Sequence, residues 1–138
     1  MNDTPIAAVD VGSNTIHLVV ARVGADKRTL DILCDELDLT RLGADITASG
    51  RIGQERASRA IAVLREQVER ARSLGAETLL GVATEGVRTA ANREEFLARV
   101  RDETDINMQV VTGDQEAALT YWGATSTLPR SKERRAVL

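Results

Sequence analysis

The spacing of the apolar residues changes after Leu39, and that change limits the fold more than any single motif. Up to Leu39 apolar side chains recur every second residue; from Gln54 to Leu74 they recur in steps of three and four. A period of two puts alternate residues on opposite faces of a strand, and a period near 3.6 lines one stripe of a helix. Ile6–Val11 therefore reads as a buried strand, stopped by a turn at Gly12, Ser13 and Asn14. Thr15–Val23 resumes with Ile16, Leu18 and Val20 on one face, which predicts a hairpin. Thr29–Leu39 is a third strand, with Leu30, Ile32 or Leu33, Leu37 and Leu39 as its apolar positions. Ala57, Ile61, Leu64, Val68 and Ala71 then mark one face of a helix from about Gln54 to Leu74, with Gly75 as its stop. Thr78–Ala83 is a short buried strand. Asn92 opens a second helix with Glu95 as its capping-box partner and Phe96, Leu97 and Val100 inward. Met108–Val111 is a fifth strand, and Gly113 to about Thr125 a third long helix.

The order β-β-β-α-β-α-β-α predicts an α/β fold, a mixed five-stranded sheet covered by helices. It is the order of a ribonuclease H-like half and of each lobe of the actin, heat-shock-protein and sugar-kinase (ASKHA) superfamily. At 138 residues the chain is the size of one domain. Its only aromatics are Phe96, Tyr121 and Trp122, so the core is aliphatic and stacking platforms for single-stranded nucleic acid are missing. A net charge of −3 gives no bulk attraction to polyanions, and an anionic ligand needs a local site. Only Lys27 and Lys132 are lysines. Arginine forks onto phosphate oxygens, but a genome's base composition accounts for the bias equally well. Cys34 is alone and excludes an intrachain disulfide. Without a signal peptide or a long apolar run, the expectation is a cytoplasmic protein, with no membrane and no nucleic-acid partner. Pro129–Arg135 is the one polar, breaker-containing stretch.

Three junctions carry candidate chemistry. Asp10 ends the first strand, and Gly12, Ser13 and Asn14 follow; such a turn can face backbone N–H groups and polar side chains toward an anion, and Asp10 can orient a hydrated metal ion. A plain hairpin turn uses the same residue types. Thr112–Ala117 joins a strand to a helix, where Glu116 is a candidate general base for activating water. Glu116 also stands three residues after Gly113, where a carboxylate can simply complete a cap or complement the helix dipole. Arg88 follows the Thr78–Ala83 strand and Arg41 the third strand, either as phosphate clamps or as solvated surface arginines. His17 has no second ligand at metal spacing and reads as structural.

Together these stretches resemble the exopolyphosphatase/guanosine pentaphosphate phosphatase (Ppx/GppA) family. Asp10–Val19 looks like its first phosphate motif, and Arg41-Leu42-Gly43 like its R-L-G element. Ala83–Asn92 is similar to A-T-S-A-x-R-x-A-x-N, and Gly113–Gly123 to G-E-E-E-A-x-x-x-Y-x-G. Glu85-Gly86 replaces the commoner Ser-Ala, and Asp114-Gln115 replaces Glu-Glu. The resemblance implies hydrolysis of terminal phosphoanhydrides in polyphosphate or guanosine pentaphosphate, with Mg2+ as cofactor. Glu116 falls on the catalytic position and Asp10 on a metal position. Gly12, Ser13, Asn14, Arg41 and Arg88 fall on phosphate-binding positions. In this family Ala136–Leu138 would begin the strand leading to a second loop, D-I-G-G-G-S. The chain is thus expected to be the first lobe of a two-lobed phosphatase, inactive alone and forming a homodimer at high concentration. The alternatives are a non-catalytic phosphate- or alarmone-binding module and an interaction domain.

Overall fold

The computed structural model of the chain describes residues 2–126 together with 128 and 136. The strands are β1 (Asn2–Val11), β2 (Thr15–Val23), β3 (Leu30–Leu39), β4 (Thr78–Ala83) and β5 (Met108–Val110). The helices are α1 (Ala44–Ser49), α2 (Gln54–Ser73), α3 (Glu85–Arg88), α4 (Arg93–Thr104) and α5 (Gly113–Thr125). They form one sheet in the order β3-β2-β1-β4-β5. The β1–β2 and β2–β3 pairs are antiparallel, while β1–β4 and β4–β5 are parallel. The expected mixed sheet is present, and β2 and β4 have the expected bounds.

One face of the sheet is covered. Ala7, Val9 and Val11 of β1 and Ile16, Leu18 and Val20 of β2 are buried, each at or below 1% exposure. Against them pack Ala57, Ile61, Leu64 and Val68 of α2, with Phe96 and Val100 of α4 closing the same aliphatic cluster. Gly75, in the left-handed region at φ 86°, ends the α2 segment as expected.

The other face is open, and here the third strand departs from expectation. Leu30, Ile32, Leu37 and Leu39 are 48–64% exposed. β3 is an edge strand, and alternate residues on it face the side that the helices do not cover. Leu33 and Cys34 pack partly against the core instead. Across the open face Leu37 lies opposite His17, His17 opposite Asp10, and Asp10 opposite Val82. α5 is equally bare: none of its residues is buried, and Leu119, Tyr121 and Trp122 are exposed. Its helical state rests on a local device, a capping box between Thr112 and Gln115.

α1 and α3 are additional to the expected order; six and four residues are too few to set a period. The expected capping box of Asn92 with Glu95 is absent, since Asn92 makes no side-chain cap bond. Its amide is used as a latch. Oδ1 accepts from the Ile52 N–H at 2.8 Å, and Nδ2 donates to the Ile52 carbonyl at 3.0 Å. Beside it the Ala91 N–H donates to the Gly50 carbonyl at 2.9 Å. These three bonds tie the segment after α1 to the start of α4. Pro129–Arg135, Val137 and Leu138 lie outside the described residues. No described helix is long and apolar enough to cross a membrane.

Candidate functional site

The loop between β1 and β2 is held from two sides. The Thr40 and Arg41 N–H groups donate to the Asn14 carbonyl at 2.9 and 2.8 Å, and the Gly43 N–H to the Ser13 carbonyl at 2.8 Å. The loop's carbonyls are therefore satisfied by the segment after β3. Two glycines let their backbones close on Ser13. A methyl group on Gly43 would lie 3.0 Å from Ser13 Cβ, and one on Gly86 would lie 2.7 Å from Ser13 Oγ and 2.8 Å from Ser13 Cα. Gly43 and Gly86 thus bring the 40–43 turn and α3 against the loop, a role the sequence reading did not assign.

Gly12 differs from both. Its φ is not in the left-handed region, so the turn does not depend on glycine's conformational freedom. A methyl group there would find ordinary contacts, 3.5 Å to the Thr15 carbonyl oxygen and 3.7 Å to Thr84 Oγ1. Arg41, by contrast, sits at φ 50° without being glycine. That conformation costs on the order of 1 kcal/mol and is held by the bond from its N–H to Asn14.

Arg88 spans from α3 to α5. Its Nη1 donates to the Val111 carbonyl at 2.6 Å and stands 3.3 Å from Glu116 Oε2. The side chains of the pair are 25% and 36% exposed, so the contact contributes ~0.2–1 kcal/mol and opens at little cost. The cap at this helix start is made by Thr112 and Gln115, which leaves the Glu116 carboxylate free of that duty. Glu116 remains an acidic residue of the first turn of α5, where its charge complements the helix dipole.

Asp10 lies near enough to Glu116 to feel its charge. Solvent reaches it, yet the surrounding protein removes enough water to push its carboxyl above the ordinary 3.8; the charge of Glu116 adds to the rise, and His17 opposes it. His17 itself links β2 to β3, with Nε2 2.6 Å from Asp35 Oδ1. Asp10 and Glu116 are two carboxylates that feel each other's charge. Magnesium is commonly held by one or two carboxylates plus water and substrate phosphates, and Asp10 suits that donor chemistry. Among the described residues no group of three or more His, Cys, Asp or Glu converges as a full metal cage.

Two cavities border these residues. One, of about 340 Å³, is lined by Ser13, Asn14, Thr47, Glu85 and Thr89 among others. The second, of about 660 Å³, is lined by Arg88, Glu116, Thr120 and Tyr121, again with Glu85. Arg88 and Glu116 thus meet in one cavity and Ser13 and Asn14 in the other. Arg41 and Asp10 line neither.

The Ppx/GppA phosphatase family profile matches residues 19–138, a span that begins after the first loop. Exopolyphosphatase 1 of Mycobacterium tuberculosis is 34% identical over 116 residues, covering 84% of this chain and 33% of its own length. The Aquifex aeolicus Ppx/GppA enzyme superposes with a TM-score of 0.84 at 32% identity, over 93% of this chain and 42% of that one. An exopolyphosphatase from Cytophaga hutchinsonii gives a TM-score of 0.85 at 25% identity, over 91% and 40%. The chain spans about a third of the length of the mycobacterial relative and two-fifths of each solved one. With the profile matching residues 19–138 and 93% of the chain covered at a TM-score of 0.84, this chain belongs to the Ppx/GppA phosphatase family.

Proposed function

We propose that this chain is the first lobe of a two-lobed phosphohydrolase that removes terminal phosphate from inorganic polyphosphate or guanosine pentaphosphate. The observation that carries the reading is Glu116, released from helix capping, held against Arg88 in one cavity and close enough to Asp10 for their charges to interact. Gly12 supports it, because neither its backbone conformation nor its packing demands a glycine. A glycine that the fold does not need suits a turn whose backbone N–H groups are approached closely by a phosphate.

In this mechanism a water attacks the terminal phosphorus and Glu116 takes its proton. The new O–P bond forms as the bridging P–O bond breaks, and the electron pair leaves on the bridging oxygen of the shortened chain. Arg88 exchanges its weak contact with Glu116 for a phosphate oxygen and neutralises charge there. Ser13, Asn14 and Arg41 orient the phosphate from the loop side. Asp10 would hold magnesium, which when bound neutralises phosphate charge. A second lobe supplies the other wall of the cleft, since positioning and charge neutralisation account for most of phosphoryl-transfer catalysis.

The test is Glu116→Gln in the two-lobed protein, with phosphate release from polyphosphate followed beside the parent. Turnover should fall by about 10²–10⁴-fold, as for loss of a general base. Near-normal turnover would refute the assignment of Glu116. The 138-residue chain alone should release no phosphate; sustained turnover within about tenfold of the two-lobed enzyme would show that one lobe suffices.

A further inference from the structure

Among the described residues Glu85 stands at the one position that borders both cavities. It opens α3, and the residue after it, Gly86, presses on Ser13. A ligand reaching from the Arg88–Glu116 cavity to the Ser13–Asn14 cavity must therefore pass the Glu85 carboxylate. The charges along that path are unbalanced. Among the described residues the smaller cavity is lined by no arginine or lysine, and Glu85 is the one charged side chain among its hydroxyl, amide, small and apolar neighbours. In the larger one the sole described cation is Arg88, already facing Glu116 at 3.3 Å. A bare polyphosphate chain would lie with its oxygens against an uncompensated carboxylate, where like charges repel.

We propose that Glu85 is a specificity-determining residue, a charge filter that admits phosphate chains to the Ser13–Asn14 cavity as their divalent-cation complexes and rejects the bare polyanion. The inference rests on the phosphate-binding reading of the cleft. Glu85 touches neither the attacking water nor the leaving group. It acts on which form of the ligand is bound, so its signature is in affinity and not in the chemical step. Its neighbours make the filter local: Thr89 and Thr47 are neutral, and Arg88 is directed away toward Val111.

The experiment measures binding of tripolyphosphate to the 138-residue chain by titration calorimetry, once with excess magnesium and once with a chelator. The parent chain should prefer the magnesium form by about tenfold or more. In Glu85→Gln the chelator arm should tighten at least about threefold while the magnesium arm changes less, so that the preference collapses. Glu94→Gln, an exposed carboxylate that lines neither cavity, controls for net charge and should leave both arms unchanged. An unchanged preference in Glu85→Gln, or an equal effect of Glu94→Gln, overturns the filter. If binding is lost in Gly12→Ala but blind to Glu85→Gln, the filter fails and the phosphate reading stands. If no variant and no arm binds tripolyphosphate, both fall.

Discussion

Replacing Asn92 separates two accounts of the same residue. As a helix cap, Asn92 would be exchangeable for Asp or Ser, which serve that position about equally well. As the latch seen here, it satisfies both the N–H and the carbonyl of Ile52, a residue only 4% exposed. Each such bond contributes about 1 kcal/mol net, and a buried backbone group left without a partner costs about 1–3 kcal/mol. Asn92→Ala removes both bonds and should destabilise by about 2–4 kcal/mol. Asn92→Asp keeps an acceptor for the N–H but turns a second oxygen toward the Ile52 carbonyl, for a loss of about 1–3 kcal/mol. At this chain length each kcal/mol moves Tm by roughly 3–5 °C, so the alanine variant should melt roughly 6–20 °C lower. Urea unfolding of both variants beside the parent gives the numbers directly. An aspartate or serine variant within about 0.5 kcal/mol of the parent would refute the latch and restore the cap. The consequence for function runs through α1, because the latched segment follows the helix that lines the smaller cavity with Ala44, Ile46 and Thr47.

Gly12→Ala should leave Tm nearly unchanged, given contacts of 3.5 and 3.7 Å for the added methyl, while weakening tripolyphosphate by about tenfold. Equal loss of stability and binding would make the glycine a structural one. Asp10 is harder to ionise in the folded chain than in the unfolded one. Its contribution to stability is therefore full below 3.8 and lost as pH rises through its raised folded value. Asp10→Asn should raise Tm at neutral pH, with the gain vanishing below about pH 4, and should abolish any rise in Tm on adding magnesium. A gain that persists in acid would place its cause outside the carboxyl's titration.

The bounds of β2 and β4 were legible because alternation and short apolar runs are local properties, written in consecutive residues. So were the loop at Gly12–Asn14 and the helix start at Thr112–Gln115, where a few neighbouring residues carry the geometry. The family resemblance followed from four such local motifs in order. What the sequence could not show is which face of the sheet the helices would cover. Leu37 and Leu39 are as apolar as Leu18, yet they end exposed because β3 is an edge strand facing the bare side. Nor could it show that Asn92 would find Ile52, 40 residues away, in preference to its own helix. Gly86 read as a mild departure from Ala until α3 lay against Ser13, where a methyl has no room. In the sequence Glu116 could equally have been a cap or a candidate base; Gln115 fills the cap, and the contact of Glu116 with Arg88 is one that only the tertiary structure brings together. Local motifs fix what a segment can do by itself; the contacts between distant segments exist only once sheet order has set which of them meet.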